Sequence, residues 1–361
     1  MVKNQIIEVV KNHKAGISIG QVGKPFYDPM SDRVKFFSQK HYVALSQLEE
    51  DIAMVLQEQK KYDASRMTMR AVVNSEMSSR FSANPFTYGN LFHFVDSFVE
   101  AQVPLLSFDG SSVLYFANNS PSRNCLPEVI ANEDWLVKTI LSSQKTPSQI
   151  SQPIQSQIPS QISSQNESSF LFQNRYSIEK IELPLSANDV TNLISVYNQA
   201  FQEYICEFNA DSIQSLVDGN IVYVARDKEQ NNAIVSVVVA ELSAIIIAGK
   251  KLQFSELSDM ATAKSHLGLG LNRLCAEKAI AELSDYDMIY TEARASHIAI
   301  NKVFYNIGFS YAGRVIKHCL ISSVQEVAET GKYENLNVWY LPTQKNIHQN
   351  TIGQNVSEGK Q

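Results

Sequence analysis

The chain has 361 residues, 44% of them hydrophobic, with four cysteines and a formal net charge of −6. That length exceeds the ~250–300 residues at which single cores usually stop growing, so two domains are expected. The acidic balance argues against nucleic acid or an anionic membrane as partner. Cys125, Cys206, Cys275 and Cys319 are far apart with no C-x-x-C pair, which argues against zinc or a disulfide framework and fits reduced thiols in a cytosol.

Before residue 143 the pattern predicts a small mixed α/β domain, residues 1–142, that resembles no family. Ser38 is a candidate cap for a helix whose Leu45, Leu48, Ile52, Val55 and Leu56 recur at three-to-four spacing. Leu91, Phe94, Val95, Phe98 and Val99 form a second stripe at that period. Asp109 and Gly110, between apolar runs ending at Phe108 and starting at Val113, predict a hairpin with a type I′ turn. A helix around Trp135, Val137, Ile140 and Leu141 closes the segment. Residues 143–169 repeat Ser, Gln, Ile and Pro, with no charge between Lys145 and Glu167. Such composition buries too little apolar surface to offset its ordering entropy, so a disordered tether is expected. The polar tail, 346–361, is expected to be disordered as well.

Residues 170–345 predict a mixed sheet with flanking helices. The expected order is strand 178–183, helix 190–204, a short helix at 212–217, then strands 221–226, 234–242 and 252–262. Helix 271–283, strand 288–293, helix 298–306 and strands 311–320 and 335–341 follow. The apolar run from Ala233 to Ala248 is shorter than the ~20 residues of a membrane helix and holds Glu241 in its middle, so a buried strand is expected instead.

The most telling segment is Ser265-His266-Leu267-Gly268-Leu269-Gly270, between a strand and a helix. A glycine pair there brings backbone N–H groups to a helix N-terminus, where orphan donors and the helix dipole favour an anion. A strand ending at Arg294 and a helix with Asn301, Tyr305, Gly308 and Phe309 come next. This set resembles the GNAT N-acetyltransferase superfamily. Glu256 to Thr262, Tyr290 to Ala295, and Glu334 to Tyr340 look most like the β-lysine N-acetyltransferases, a match over about 176–342. The loop's first position is Ser265, where the family pattern has Gln or Arg.

The resemblance implies transfer of the acetyl group of acetyl-CoA to a primary amine of a small, β-lysine-like amino acid, by direct attack in a ternary complex. No His, Cys or Asp spacing suggests a metal site. A protein lysine or polyamine acceptor, or a degenerate CoA-binding sensor or scaffold, remain the alternatives; the oligomeric state stays open. Residues Ser265 to Gly270 would cradle the pyrophosphate. Backbone N–H groups near Met260 and Ala261 would stabilise the oxyanion and hold the pantetheine arm, and Asn301 would orient cofactor or backbone. A lysine-like amine with a pKa near ~10.4 is almost wholly protonated at neutral pH, so a general base is needed. Glu256 and Asp259 both qualify; strict alternation puts them on opposite faces unless the strand carries a bulge. Tyr305 is the candidate acid for the leaving thiolate. Arg294 and Glu292 are the candidate substrate-binding residues; Arg294 is read as a fork for a substrate carboxylate or as an ion-pair partner of Glu292 or a neighbour. Tyr204, Glu203 and Glu207 are candidate borders of the acceptor pocket.

Overall fold

A computed structural model describes residues 23–81, 91–92, 97–105, 107–143, 174–201, 204, 207–321 and 333–341. The expected tether, apart from Ser143, and the expected tail lie outside these residues, as does Glu203. The architecture is mixed α/β, with parallel and antiparallel strand pairs flanked by helices. The described residues fall into two compact units. One draws on Pro159–Leu242 and Leu257–Ala279, the other on Ile19–Ile158, Ser243–Glu256 and Ile280–Gln361.

The second unit takes strands from both sides of the Ser/Gln/Pro-rich stretch 143–169. Ahead of it come β1 (Phe26–Asp28), β2 (Arg33–Tyr42), α1 (Leu45–Tyr62), β3 (Arg66–Val73), α2 (Ser75–Arg80) and β4 (Leu91–Phe92). Then follow β5 (Ser97–Leu105), β6 (Ser111–Asn119) and α3 (Pro127–Ser142). Helix α1 begins as its apolar spacing predicts and buries Leu48, Ile52 and Val55 against β2 and β3. Its N-cap, however, is Ala44, with no side-chain bond, because Ser38 lies inside β2. The stripe at Leu91 to Val99 is not a helix where it is described: Leu91 lies in β4, and Phe98 and Val99 lie in β5, whose Val99, Ala101, Val103 and Leu105 are buried at a spacing of two. The Asp-Gly hairpin forms as expected. Asp109 and Gly110 both have positive φ, and Ser111 N–H closes the turn on the Phe108 carbonyl at 2.8 Å. In α3 the buried side is Glu133, Val137 and Ile140, whereas Trp135 is exposed.

The same unit holds β11 (Met288–Arg294), α7 (Ile298–Asn306), β12 (Ser310–Cys319) and β13 (Glu334–Leu341). Strand β5 pairs antiparallel with β12 at Ala101 and Gly313. Gly313 has φ +139, and a Cβ there would stand 2.3 Å from the Glu100 carbonyl oxygen and 2.7 Å from Ala101 Cα. No larger residue fits so close an approach of two backbones. Helix α3 packs on α7.

The first unit contains β7 (Tyr176–Ile181), α4 (Ala187–Ala200), α5 (Ala210–Val217) and β8 (Ile221–Asp227). Two long strands, β9 (Ala233–Ile247) and β10 (Lys250–Thr262), have residues in both units, and α6 (Leu271–Ala281) follows them. Strand β9 is the apolar run read as a buried strand, and Val237 to Ala240 are fully buried. It extends past the expected end at Leu242 to a two-residue turn, Ala248 and Gly249, both at positive φ. Among the described residues, no helix is long and apolar enough to cross a membrane.

Candidate active site

Strand β10 carries both candidate bases and then runs into the glycine loop. Its partner is parallel β11, with Glu256 opposite Tyr290. Tyr290 and Glu292 sit two residues apart on β11, so they share a face. Tyr290 Oη donates to Glu256 Oε2 at 2.8 Å and accepts from Arg70 Nη1 at 2.7 Å. The other arm of Arg70 pairs with Glu292, and Arg70 Nη1 is 3.9 Å from Glu256 Oε2. The Arg70 guanidinium lies between two rings, 4.8 Å from the Tyr115 centroid and 5.2 Å from that of Tyr290. Stacking of this kind suits a planar guanidinium.

These contacts split two neighbouring carboxylates. Burial pushes the Glu256 carboxyl up to about 7, Glu292 adds to the rise, and Arg70 opposes it. Burial also raises Glu292, but Arg70, His318 and Arg33 together outweigh it and hold that carboxyl below its usual range. His318 Nε2 stands 3.3 Å from Glu292, and its Nδ1 is 3.4 Å from Arg66 Nη2. Burial and Arg33 keep His318 well below the ordinary imidazole value. With Nδ1 facing the Arg66 donor, a neutral ring carries its proton on Nε2, toward Glu292. Burial lowers Lys35, also beside Glu256, to about 8. The buried Tyr115 hydroxyl has no hydrogen-bond partner among the described residues.

Asp259 belongs to another cluster. It has φ +47, and its carboxylate is buried on the side of Leu257 and Ala261, receiving a bond from Tyr204 and lying 3.5 Å from Ser258 Oγ. Ser258 donates to Glu241 at 2.6 Å. Burial raises Asp259 above its usual value. Tyr204 also stacks with Phe201 and Phe208, at centroid distances of 4.5 and 5.1 Å. The two candidate bases therefore differ in surroundings: Glu256 sits with a cation and a second carboxylate, Asp259 with hydroxyls and aromatic rings. Glu207 is exposed.

Beyond Met260 and the buried Ala261, the chain makes a single 3-10 turn over Lys264–His266 and then enters the loop. His266 is buried and anchors the turn, with Nε2 3.0 Å from Asp227 Oδ2 and Nδ1 2.9 Å from Ser265 Oγ. Asp227 also takes Arg175 Nη2 at 2.7 Å, and the Arg175 bond followed by His266 holds it at about 2. Leu267 and Leu269 are 63% and 43% exposed, although large aliphatic side chains usually sit inside. Gly268 and Gly270 have φ +78 and +74, and a Cβ on either would meet nothing within 4 Å. The glycines are thus required by backbone conformation, and open space lies beside them.

The remaining candidates are tied to protein neighbours. Asn301 Nδ2 donates to the Arg294 and His297 carbonyls, each at 2.8 Å. Its Oδ1 accepts from Asn337 at 2.9 Å and Trp339 Nε1 at 2.8 Å. Asn301 therefore spends its capacity joining α7 to β11 and β13. The Tyr305 hydroxyl points to the Leu141 and Ser143 carbonyls, at 3.3 and 3.2 Å, at the end of α3. Arg294 pairs with Glu334 at 2.9 Å, and Glu292 with Arg70. Sequence reading missed Arg70, Tyr115, Lys35 and His318, which come from distant strands. Tyr290 was within reach, because alternation on β11 pairs it with Glu292.

No family model matches the chain. N-acetyltransferase YodP of Bacillus subtilis is 27% identical over 156 residues, 42% of this chain and 50% of that protein. Beta-lysine N(6)-acetyltransferase of Methanosarcina mazei is 26% identical over 159 residues, 43% of this chain and 53% of that protein. The chain thus spans about half the length of the curated relatives it matches. Among solved structures, Arabidopsis thaliana NAA60 with a bisubstrate analogue superimposes with a TM-score of 0.37 at 10% identity, over 46% of this chain and 98% of that one. Over less than half of its length, then, the chain is similar to two curated N-acetyltransferases.

Proposed function

We propose that the protein transfers the acetyl group of acetyl-CoA to the side-chain amine of a small amino acid of the β-lysine type. The observation that carries this reading is Glu256: a half-buried carboxyl raised to about 7 on the strand that leads into the glycine loop. A base with that affinity is half ionised near neutral pH, where proton transfer is most effective. The acceptor ammonium gives one proton to Glu256, which passes it to solvent. The nitrogen lone pair then attacks the thioester carbonyl carbon, and the carbon–sulfur bond breaks with its electrons on sulfur. The second nitrogen proton ends on the thiolate, with Tyr305 as the proposed carrier. Backbone N–H groups from Ser265 to Gly270 would receive the pyrophosphate, and those of Met260 and Ala261 the oxyanion. The β-lysine guess is supported by the name of the Methanosarcina relative and by the Asn337, Val338, Trp339 and Tyr340 run.

The test is CoA release by the full chain with β-lysine, α-lysine, a polyamine and a lysine peptide. Turnover of β-lysine well above the rest is expected; preference for the peptide or polyamine would replace the substrate, and CoA binding without any turnover would remove the enzyme reading. In the same assay Gly268→Ala, which forces a side chain into the left-handed region, should raise KM for acetyl-CoA several-fold with kcat little changed. An unchanged KM would move the pyrophosphate elsewhere.

A further inference from the structure

We propose that Arg70, on β3 ahead of the linker segment, is a positioning residue for acetyl transfer: it engages Tyr290 and Glu292 so that Glu256 is the carboxylate left to take the proton. This rests on reading Glu256 as the base. The geometry is specific. One guanidinium meets two carboxylates, and it does not share itself equally: Nη2 pairs with Glu292, while Nη1 donates to Tyr290 and stays 3.9 Å from Glu256. Glu292 is held from a second side by His318. Glu256 receives its bond through the phenol, and a phenol that accepts from a cation is a stronger donor in turn. Stacking between the Tyr115 and Tyr290 rings fixes the fork in its plane.

The groups that face Glu256 are Tyr290 and Glu292 on β11, Arg70 on β3, Lys35 on β2 and Tyr115 on β6. Three of these five come from strands ahead of the linker. On this view the segment of unknown role supplies the electrostatic setting of the transfer chemistry. Without Arg70 the two carboxyls face each other with less positive charge, and Glu256 holds its proton more tightly.

The experiment compares Arg70→Gln, Arg70→Lys and Tyr290→Phe in the full chain. One readout is the pH profile of kcat/KM with β-lysine. The other is titration of the Glu256 carboxyl by its infrared C=O band, identified as the band missing in Glu256→Gln, which needs no acceptor. The expected result is a midpoint about one pH unit higher in Arg70→Gln, which is roughly a tenfold loss of ionised base on the acid side. Arg70→Lys should restore part of the shift by charge alone. Tyr290→Phe keeps the Arg70–Glu292 pair but removes the relay bond to Glu256, so it should also raise the midpoint, and it serves if Arg70→Gln fails to fold. An infrared midpoint unmoved in Arg70→Gln, or in Tyr290→Phe should Arg70→Gln not fold, overturns the proposal. If the infrared midpoint moves and the rate profile ignores it, the fault lies with Glu256 as base instead.

Discussion

Glu256→Gln in the full chain is expected to lower kcat/KM by roughly 10²–10⁴-fold and, above neutral pH, to raise the melting temperature. Both effects come from one cause. Burial holds the folded-state carboxyl near about 7, against an ordinary value of 4.5. Below the lower value, folded and unfolded chains are both protonated, and the site costs nothing. Between the two, the unfolded chain releases a proton that the folded chain keeps, so stability falls as pH rises. Above the upper value the cost is complete. Glutamine does not ionise, and its carbonyl still accepts from Tyr290. The gap should therefore be close to zero near about pH 4, open through the neutral range, and level off at on the order of 2–3 kcal/mol. That corresponds to several degrees for a protein of this size. Calorimetry at about pH 5 and about pH 8 measures it. A melting difference equal at both, or an unaltered rate, would remove Glu256 from its assigned place.

A second large effect is expected in the same unit, at an ion pair that reaches Glu292 through His318. Arg66 on β3 and Glu100 on β5 form a two-armed ion pair whose side chains are 0% and 1% exposed. Glu100 also accepts the Ile316 N–H of β12 at 2.8 Å. Arg66→Met leaves that carboxylate buried with its counter-charge gone, a change that costs about 3–5 kcal/mol. Burial raises Glu100 even with Arg66 present. In the variant the folded-state value rises further, so protonation relieves the site at low pH and the loss grows as pH increases. Adding Glu100→Leu should recover most of the stability, less about 1 kcal/mol for the Ile316 N–H left without its acceptor. Urea unfolding of the single and double variants measures both terms; a loss below about 1 kcal/mol in the single variant would show that the pair is not dry.

Sequence reading went furthest after the linker, where the elements are long and their periods pure. Strand β9 is nearly continuous Val, Ile and Ala, and α7 has Asn301, Phe304 and Tyr305 buried on one side. Ahead of that segment the same reasoning misread Phe98 and Val99, because five of the six apolar residues from Leu91 to Val99 fit a helix stripe. The buried alternation from Val99 to Leu105 becomes decisive only once β6 and β12 lie beside it. The glycine loop was visible because its requirement is local. Arg70 was not, since it meets Tyr290 and Glu292 only after β3 is brought into the sheet with β11. Nor does an Asn-Val-Trp-Tyr motif reveal that Asn337 and Trp339 both donate to Asn301.

The approach of β5 to β12 at Gly313 also bears on how the chain is made. Ribosomes add roughly 5–20 residues per second, and about 200 residues separate Ala101 from its partner, so on the order of 10–40 s pass between the two. For that interval β5 is covered by β6 on one side and by β4 only at Ser97 and Phe98 on the other. An uncovered strand edge is a template for pairing with other chains. Nascent protein stalled before residue 310 would carry this edge into the cell, where chaperones would have to hold it until β12 emerges.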